Sequence, residues 1–84
     1  MSELVYIEWL DSAVMHGWLS LDTIRADAGP VLIQSVGWVV CETDTAITLA
    51  AHKHRDTADS VPMATDPLTI PKGVITLRKR MRAR

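Results

Sequence analysis

Residues Val31 to His52 constrain the fold more than any other part of this chain. The run VLIQSVGWVVCE is apolar and rich in β-branched residues, and a polar tip, Thr43-Asp44-Thr45, separates it from the run AITLAAH. Two such runs joined by a short polar turn are typical of an antiparallel hairpin. A hairpin this long dominates an 84-residue chain. The sequence therefore predicts a mainly β fold, built as a small, strongly bent antiparallel sheet or barrel.

The segment before the hairpin predicts one strand and a helical insert. Leu4 to Leu10 is rich in β-branched and aromatic residues, which predicts a first strand. From Ala13 to Asp27 apolar residues recur every three or four positions, which predicts short helical turns after that strand. Ser20 is placed to cap a turn that begins at the next residue. In this strand Val5, Ile7 and Trp9 share one face, and Leu4, Tyr6, Glu8 and Leu10 share the other.

Two residues inside the hairpin carry structural predictions of their own. Gly37 lies in the middle of a strand, where a glycine lowers stability unless it allows a bulge, a bend or a close approach of backbones. We therefore expect this strand to bend there and contribute to both halves of the sheet. Cys41 lies in the apolar run, which predicts a buried thiol. On the second hairpin strand, the inward residues are expected to be Ile47, Leu49 and Ala51.

The C-terminal part predicts a long connection and two short strands. Residues 53–67 are polar, contain two prolines and show no periodicity, so they are expected to form a loop. Residues 67–70 predict a strand, the segment IPKGV a tight turn, and residues 74–78 the closing strand. We expect residues 1–77 to form one domain and residues 78–84 to be a basic tail.

This order of elements resembles that of the SH3-like and Sm-like small β-barrels, in which a short 3₁₀ turn joins the last two strands. Gly37 in the bent strand and the segment IPKGVI carry the resemblance, which covers residues 4–10 and 31–79. The segments SVGW, ETDT and IPKG are also similar to those of short uncharacterised proteins of tailed bacteriophages. That second likeness implies a viral origin.

Charge is unevenly distributed along the chain. The net charge is −1, but residues 78–84 hold five of the nine basic residues, and the other 77 residues carry ten acids against four bases. An acidic body repels nucleic acid, so any nucleic-acid binding is expected through the tail alone. Its cations are Arg78, Lys79, Arg80, Arg82 and Arg84.

Size and cysteine content predict a homo-oligomer. A chain of 84 residues buries little surface, and one cysteine excludes an intramolecular disulfide. Association with further copies is then the remaining route to stability. No run of 18 apolar residues and no basic, apolar leader occurs, so we expect a cytoplasmic protein, in the host cytoplasm if it is viral, with no membrane partner.

The sequence carries no strong catalytic or metal motif. His52-x-His54-x-Asp56 has the spacing of half a metal site, but the only other histidine is His16 and the remaining ligands of such sites are missing. No Gly-x-Ser-x-Gly segment is present, and Cys41 lies inside a strand. We therefore expect no enzyme activity, no metal and no cofactor.

The leading hypothesis is a non-enzymatic homo-oligomer that binds a small ligand at subunit interfaces. Combined with the likeness to phage proteins, the most specific form of this hypothesis is an anti-defence protein that sequesters a host cyclic-nucleotide immune signal. The alternatives are an Sm-like RNA-binding protein that uses the basic tail and a protein-interaction adaptor. Tryptophan supplies a stacking platform for a base, and cations meet phosphate. The expected ligand-binding residues are Trp18, Trp38, Lys53, His54, Arg55 and Lys72.

Overall fold

The computed structural model describes residues 3–55 and 61–82. Seven strands, one helix and one 3₁₀ turn follow each other along these two described ranges. Their order and bounds are β1 Leu4–Asp11, α1 Leu21–Asp27, β2 Val31–Glu42, β3 Ala46–Ala50, β4 His52–Lys53, β5 Ala64–Thr65, β6 Leu68–Pro71, the 3₁₀ turn Lys72–Val74, and β7 Ile75–Met81. No helix among the described residues has the length and apolar character needed to cross a membrane.

The mainly β prediction is confirmed, but the sheet is not closed into a barrel. Five antiparallel strands form one sheet in the order β6-β3-β2-β1-β7, and β4 and β5 form a separate two-stranded ribbon. Closure would require β6 and β7 to pair with each other. In the described structure the 3₁₀ turn joins β6 to β7, but these two strands do not pair and both are edges of the sheet.

The core lies on one face of this sheet and shows that the sheet is strongly curved. Neighbouring strands in a sheet lie about 4.8 Å apart, so β1 and β6, three positions apart, would be well separated in a flat sheet. Their side chains nevertheless join one buried cluster. Its members are Val5, Ile7, Ile47, Leu49 and Ile70, with Trp9, Val39, Val74 and Ile75 packed against it.

Strand β2 exchanges partners at Gly37 and Trp38, as the mid-strand glycine led us to expect. Residues 31–38 pair with β1, whereas pairing with β3 begins at Trp38. Gly37 is buried at this point, and a Cβ built on it would lie 2.9 Å from Leu49 Cβ and 3.0 Å from the Ala50 carbonyl oxygen. The glycine therefore permits a close approach of β2 to β3.

A bulge in β2 overturns the prediction for Cys41. The register with β3 shifts between Val39 and Cys41, which reverses the alternation of faces. Cys41 consequently pairs with Thr48 and is exposed, whereas Glu42 pairs with the buried Ile47. The predicted buried thiol is wrong because the extra residue moves it to the outer face.

The second hairpin strand is confirmed with one correction. Ile47 and Leu49 are buried as predicted, but Ala50 rather than Ala51 is the next buried residue. Strand β3 ends at Ala50 and the chain bends at Ala51, so the alternation does not continue through it.

The predicted helical insert is present. Ser20 caps α1, because its Oγ accepts a hydrogen bond of 3.1 Å from the Thr23 backbone N–H. Gly17 has φ +84°, a conformation that glycine adopts without strain. Helix α1 buries none of its residues.

The closing strand is longer than the sequence predicted. β7 continues through residues 78–81, and Met81 pairs with Leu4 at the far end of β1. Arg78 and Lys72 each place a nitrogen 2.8 Å from Glu42 Oε2. Arg78 and Arg80 also lie 3.4 Å from the carboxylate of Glu3. Part of the basic C-terminal segment is therefore a strand that neutralises acids of the body.

These ion pairs predict acid-sensitive stability. Hydrogen bonds from Arg78 and Lys72 lower the pKa of Glu42 from its ordinary value of 4.5 to about 2. The folded pKa lies below the unfolded one, so the contribution of Glu42 is present above about pH 4.5 and is lost as the pH falls towards 2. We expect Glu42→Gln to flatten the pH dependence of urea unfolding across this window.

Asp44→Asn is the control, because it removes one carboxylate at the hairpin tip without touching either cation. An unaltered pH dependence in Glu42→Gln would show that the cluster does not contribute to folding.

Candidate functional site

A cleft of about 260 Å³ lies between β2 and the β4–β5 ribbon. Trp38 forms one side of it and Met63 lies among the residues on the other. Most of the lining is apolar, with basic groups from two consecutive residues. The lining residues are Trp38, Val39, Val40, Lys53, His54, Pro62, Met63 and Ala64.

Sheet pairing fixes Trp38 in this position. It is the residue at which β2 passes from β1 to β3, with Leu4 as partner on one side and Ala50 on the other. Ala50 is buried, so the backbone of Trp38 pairs with a buried position of β3. The adjacent Gly37 holds the two backbones close together at this point. The indole is therefore attached at the point where β2 pairs with both of its neighbouring strands.

The ribbon carries the basic side of the cleft. His52 pairs with Thr65 and Lys53 with Ala64. The His54 backbone N–H donates a 2.9 Å hydrogen bond to the Met63 carbonyl oxygen, which extends the ribbon by one residue. These contacts fix where the backbone presents the Lys53 and His54 side chains.

Lys53 and Trp38 are in direct contact across the cleft. The Lys53 ammonium lies 5.0 Å from the centroid of the Trp38 ring, which is within the range of a cation–π interaction. The same nitrogen donates a 3.4 Å hydrogen bond to the His54 carbonyl oxygen. An aromatic face and a cation are thus held side by side.

A second depression adjoins the first. Its volume is about 160 Å³, and it shares Lys53, His54, Met63 and Ala64 with the first cleft while adding His52 and Thr65. The two basic residues form the rim common to both depressions. Among the described residues that line either one, none is a carboxylate.

Three of the six predicted ligand residues come together here, namely Trp38, Lys53 and His54. Trp18 lies in the insert and is fully exposed. Lys72 is held by Glu42 at the opposite end of the hairpin, and Arg55 is exposed and does not line the cleft.

The tail residues are divided between two environments. Arg78 and Arg80 form the ion pairs with Glu3 and Glu42, whereas Lys79 and Arg82 are not in these pairs, and all four residues are exposed. Arg84 lies outside the described residues.

Little in the sequence indicated that Pro62 and Met63 would line the cleft. They stand in the polar connection that we expected to be a loop, yet Ala64 and Thr65 form β5 and bring this segment against β2. The only available signal was the short apolar run Val61-Pro62-Met63 inside an otherwise polar stretch.

The spacing His52-x-His54 does not assemble a metal site in the described part of the chain. No group of three or more histidine, cysteine, aspartate or glutamate side chains in metal-binding arrangement occurs there. Asp56, the third member of the motif, lies outside the described residues.

Comparison with protein-family models, with curated proteins and with solved structures found no match to this chain. The function must therefore be argued from the geometry of the cleft.

Proposed function

We propose that this chain is a non-enzymatic, homo-oligomeric protein that binds a nucleotide in the Trp38 cleft. The observation that carries the proposal is the juxtaposition of the Trp38 ring with Lys53 and His54 at the cleft. An aromatic face takes a base and the adjacent cations take phosphate, which are the two chemical parts of a nucleotide.

The Trp38 ring and the Lys53 ammonium each offer a contact to a nucleotide. The cation–π contact of Lys53 with Trp38 is worth about 0.5–1 kcal/mol at an exposed site. Stacking a base on an aromatic ring contributes about 1–3 kcal/mol. A hydrogen bond from the ammonium to a charged phosphate adds about 1.5–3 kcal/mol. A nucleotide that stacks on Trp38 and accepts a hydrogen bond from Lys53 therefore forms contacts that are each larger than the cation–π contact.

The dimensions of the site suit a ligand with more than one base. A cleft of about 260 Å³ is smaller than the roughly 300–1,000 Å³ typical of complete ligand pockets. The adjoining depression offers a second compartment across the same basic rim. A cyclic dinucleotide has two bases joined by phosphates and matches this arrangement. Sequestration of such a host immune signal by a phage protein is the specific role that we propose.

Two features support the SH3-like or Sm-like relationship as part of the proposal. The strand order places the first and last strands side by side, and a 3₁₀ turn joins the two edge strands. Strand β2 also bends from one partner to the next at Gly37. This relationship concerns the architecture alone and does not identify a ligand.

Nucleic-acid binding through the C-terminal segment is the second candidate. Lys79 and Arg82 are exposed and available to phosphate, but Arg78 and Arg80 already face Glu3 and Glu42. An RNA bound by the remaining cations should be lost steeply as salt is raised, whereas a small nucleotide held by stacking should not. A protein-interaction adaptor should bind neither.

Calorimetric titration with mononucleotides, cyclic dinucleotides and a short RNA tests the proposal. We expect a cyclic dinucleotide to bind wild type, and Trp38→Ala and Lys53→Met each to weaken it by at least about tenfold, which is 1.4 kcal/mol. Lys79→Met is the matched control, because it removes one exposed cation of β7 and should leave the affinity unchanged.

Two results would contradict the proposal. One is wild-type affinity in both cleft variants, and the other is binding of RNA alone with a loss in Lys79→Met.

A further inference from the structure

Residues 10–32, called the arm below, project from the sheet. The pairing of β1 with β7 ends at Trp9, and the pairing of β2 with β3 begins only at Trp38. The ends of β1 and β2 therefore pair only with each other within the described structure, and α1 lies beyond them. A two-stranded ribbon and a seven-residue helix are each marginal in water on their own.

The arm carries an unusual concentration of exposed apolar side chains. Nine of the fifteen large hydrophobic residues that are exposed in the described structure lie within it. Single exposed apolar residues are normal, whereas a contiguous group marks an interaction surface. The nine are Leu10, Val14, Met15, Trp18, Leu19, Leu21, Ile24, Val31 and Leu32.

The overall dimensions show how much surface is left uncovered. The radius of gyration is 17.1 Å, whereas a compact chain of this length has a radius of about 12 Å. The accessible surface is 6859 Å², against about 5,000 Å² expected for a folded monomer of 9.3 kDa. The excess is about 1,900 Å² per chain.

We infer that the arm packs on the body of a second copy of this chain. Obligate homodimers bury roughly 2,000–5,000 Å² in total, which is about 1,000–2,500 Å² per subunit, so the excess has the size that such an interface needs. This inference rests on the homo-oligomeric part of the proposed function and does not depend on the ligand.

The body of the same chain offers a surface that fits the arm. Val36 and Val40 expose apolar side chains on β2, and Leu68 does so on β6. Within the described residues, β2 from Val31 to Val36 also has no strand on the edge opposite β1, which leaves backbone groups able to pair. One chain carries both the arm and the surface that would receive it. Two copies can therefore exchange their arms reciprocally and form a closed dimer.

Light scattering coupled to size exclusion tests the inference without any ligand. We expect wild type at micromolar concentration to have at least twice the 9.3 kDa mass of one chain. The double variant Trp18→Ser with Leu21→Ser should fall to 9.3 kDa and keep its β-sheet circular dichroism, because both side chains lie outside the core cluster. Met81→Ser, which removes an exposed apolar side chain from β7, should keep the wild-type mass.

Acrylamide quenching supplies a measurement that needs no disruptive variant. The Trp18 signal, obtained as the difference between wild type and Trp18→Phe, should be shielded from the quencher. A wild-type mass of 9.3 kDa, an unchanged mass in the double variant, or a Trp18 quenched as fully as free tryptophan would each overturn the inference. Loss of nucleotide binding with an intact oligomer would instead contradict the proposed function alone.

Discussion

Gly37→Val is expected to lower the free energy of unfolding by at least about 3 kcal/mol, the upper end of the range for overpacking a core. Even a methyl group at this position would lie 2.9 Å from Leu49 Cβ and 3.0 Å from the Ala50 carbonyl oxygen. Neither atom can move without displacing β3, because both belong to or adjoin the backbone of a buried strand. A chain of this size has a total stability of only about 4–13 kcal/mol, so the loss is a large fraction of it.

A glycine-to-alanine pair separates this close contact from the general effect of removing a glycine. Gly37→Ala should destabilise clearly, whereas Gly73→Ala should be nearly neutral, since nothing lies within 4 Å of a Cβ at Gly73. Urea unfolding followed by circular dichroism measures both. Equal midpoints for the two variants would show that β2 and β3 are not as close as the structure has them.

Removal of residues 78–84 is expected to have the second large effect. The truncation deletes the half of β7 that pairs with Leu4 to Ile7, and it takes Arg78 away from Glu42. Ladder hydrogen bonds contribute about 1 kcal/mol each, so we expect a loss of several kcal/mol, or an unfolded chain. The sequence alone had suggested that folding would lose little, because the basic composition of this segment hid its pairing with β1.

A shorter truncation is the control. Deleting residues 82–84 removes two arginines but leaves β7 complete to Met81, so the melting temperature should stay close to that of wild type. If both truncations melt alike and near wild type, the last four residues of β7 do not stabilise the sheet. If only the longer truncation melts at a lower temperature, residues 78–81 stabilise the fold.

The sequence predicted the strands well because their patterns are local. Alternation placed Val5 and Ile7 on the same face, which the structure shows to be buried, the cap at Ser20 indicated the start of α1, and the mid-strand Gly37 located the change of partners. Bulges and the C-terminal end of the sheet were harder to predict from the sequence. A one-residue bulge near Cys41 leaves no mark in composition, yet it reverses which side chains face inward.

The candidate site was predicted only in part, because the sequence shows the chemistry of each side chain but not its tertiary position. Trp38, Lys53 and His54 were recognised by their chemistry, and the structure brings them together. Met63 was missed because its place depends on a two-residue ribbon, β4–β5, formed across a polar connection. Trp18 and Lys72 carry suitable side chains, but tertiary structure sends one into the arm and the other to Glu42.

The most direct test of the central claim is an NMR titration of the labelled protein with a cyclic dinucleotide. The three tryptophans give three indole N–H signals. Trp9 donates to Ser35 Oγ at 3.1 Å and packs against the core, and Trp18 lies in the arm, so only Trp38 is in the cleft. We expect the Trp38 indole and the amides of Lys53, His54 and Met63 to shift in proportion to saturation, while the Trp9 and Trp18 indoles stay in place. Shifts confined to the amides of residues 78–82, or an unmoved Trp38 at saturating ligand, would contradict it.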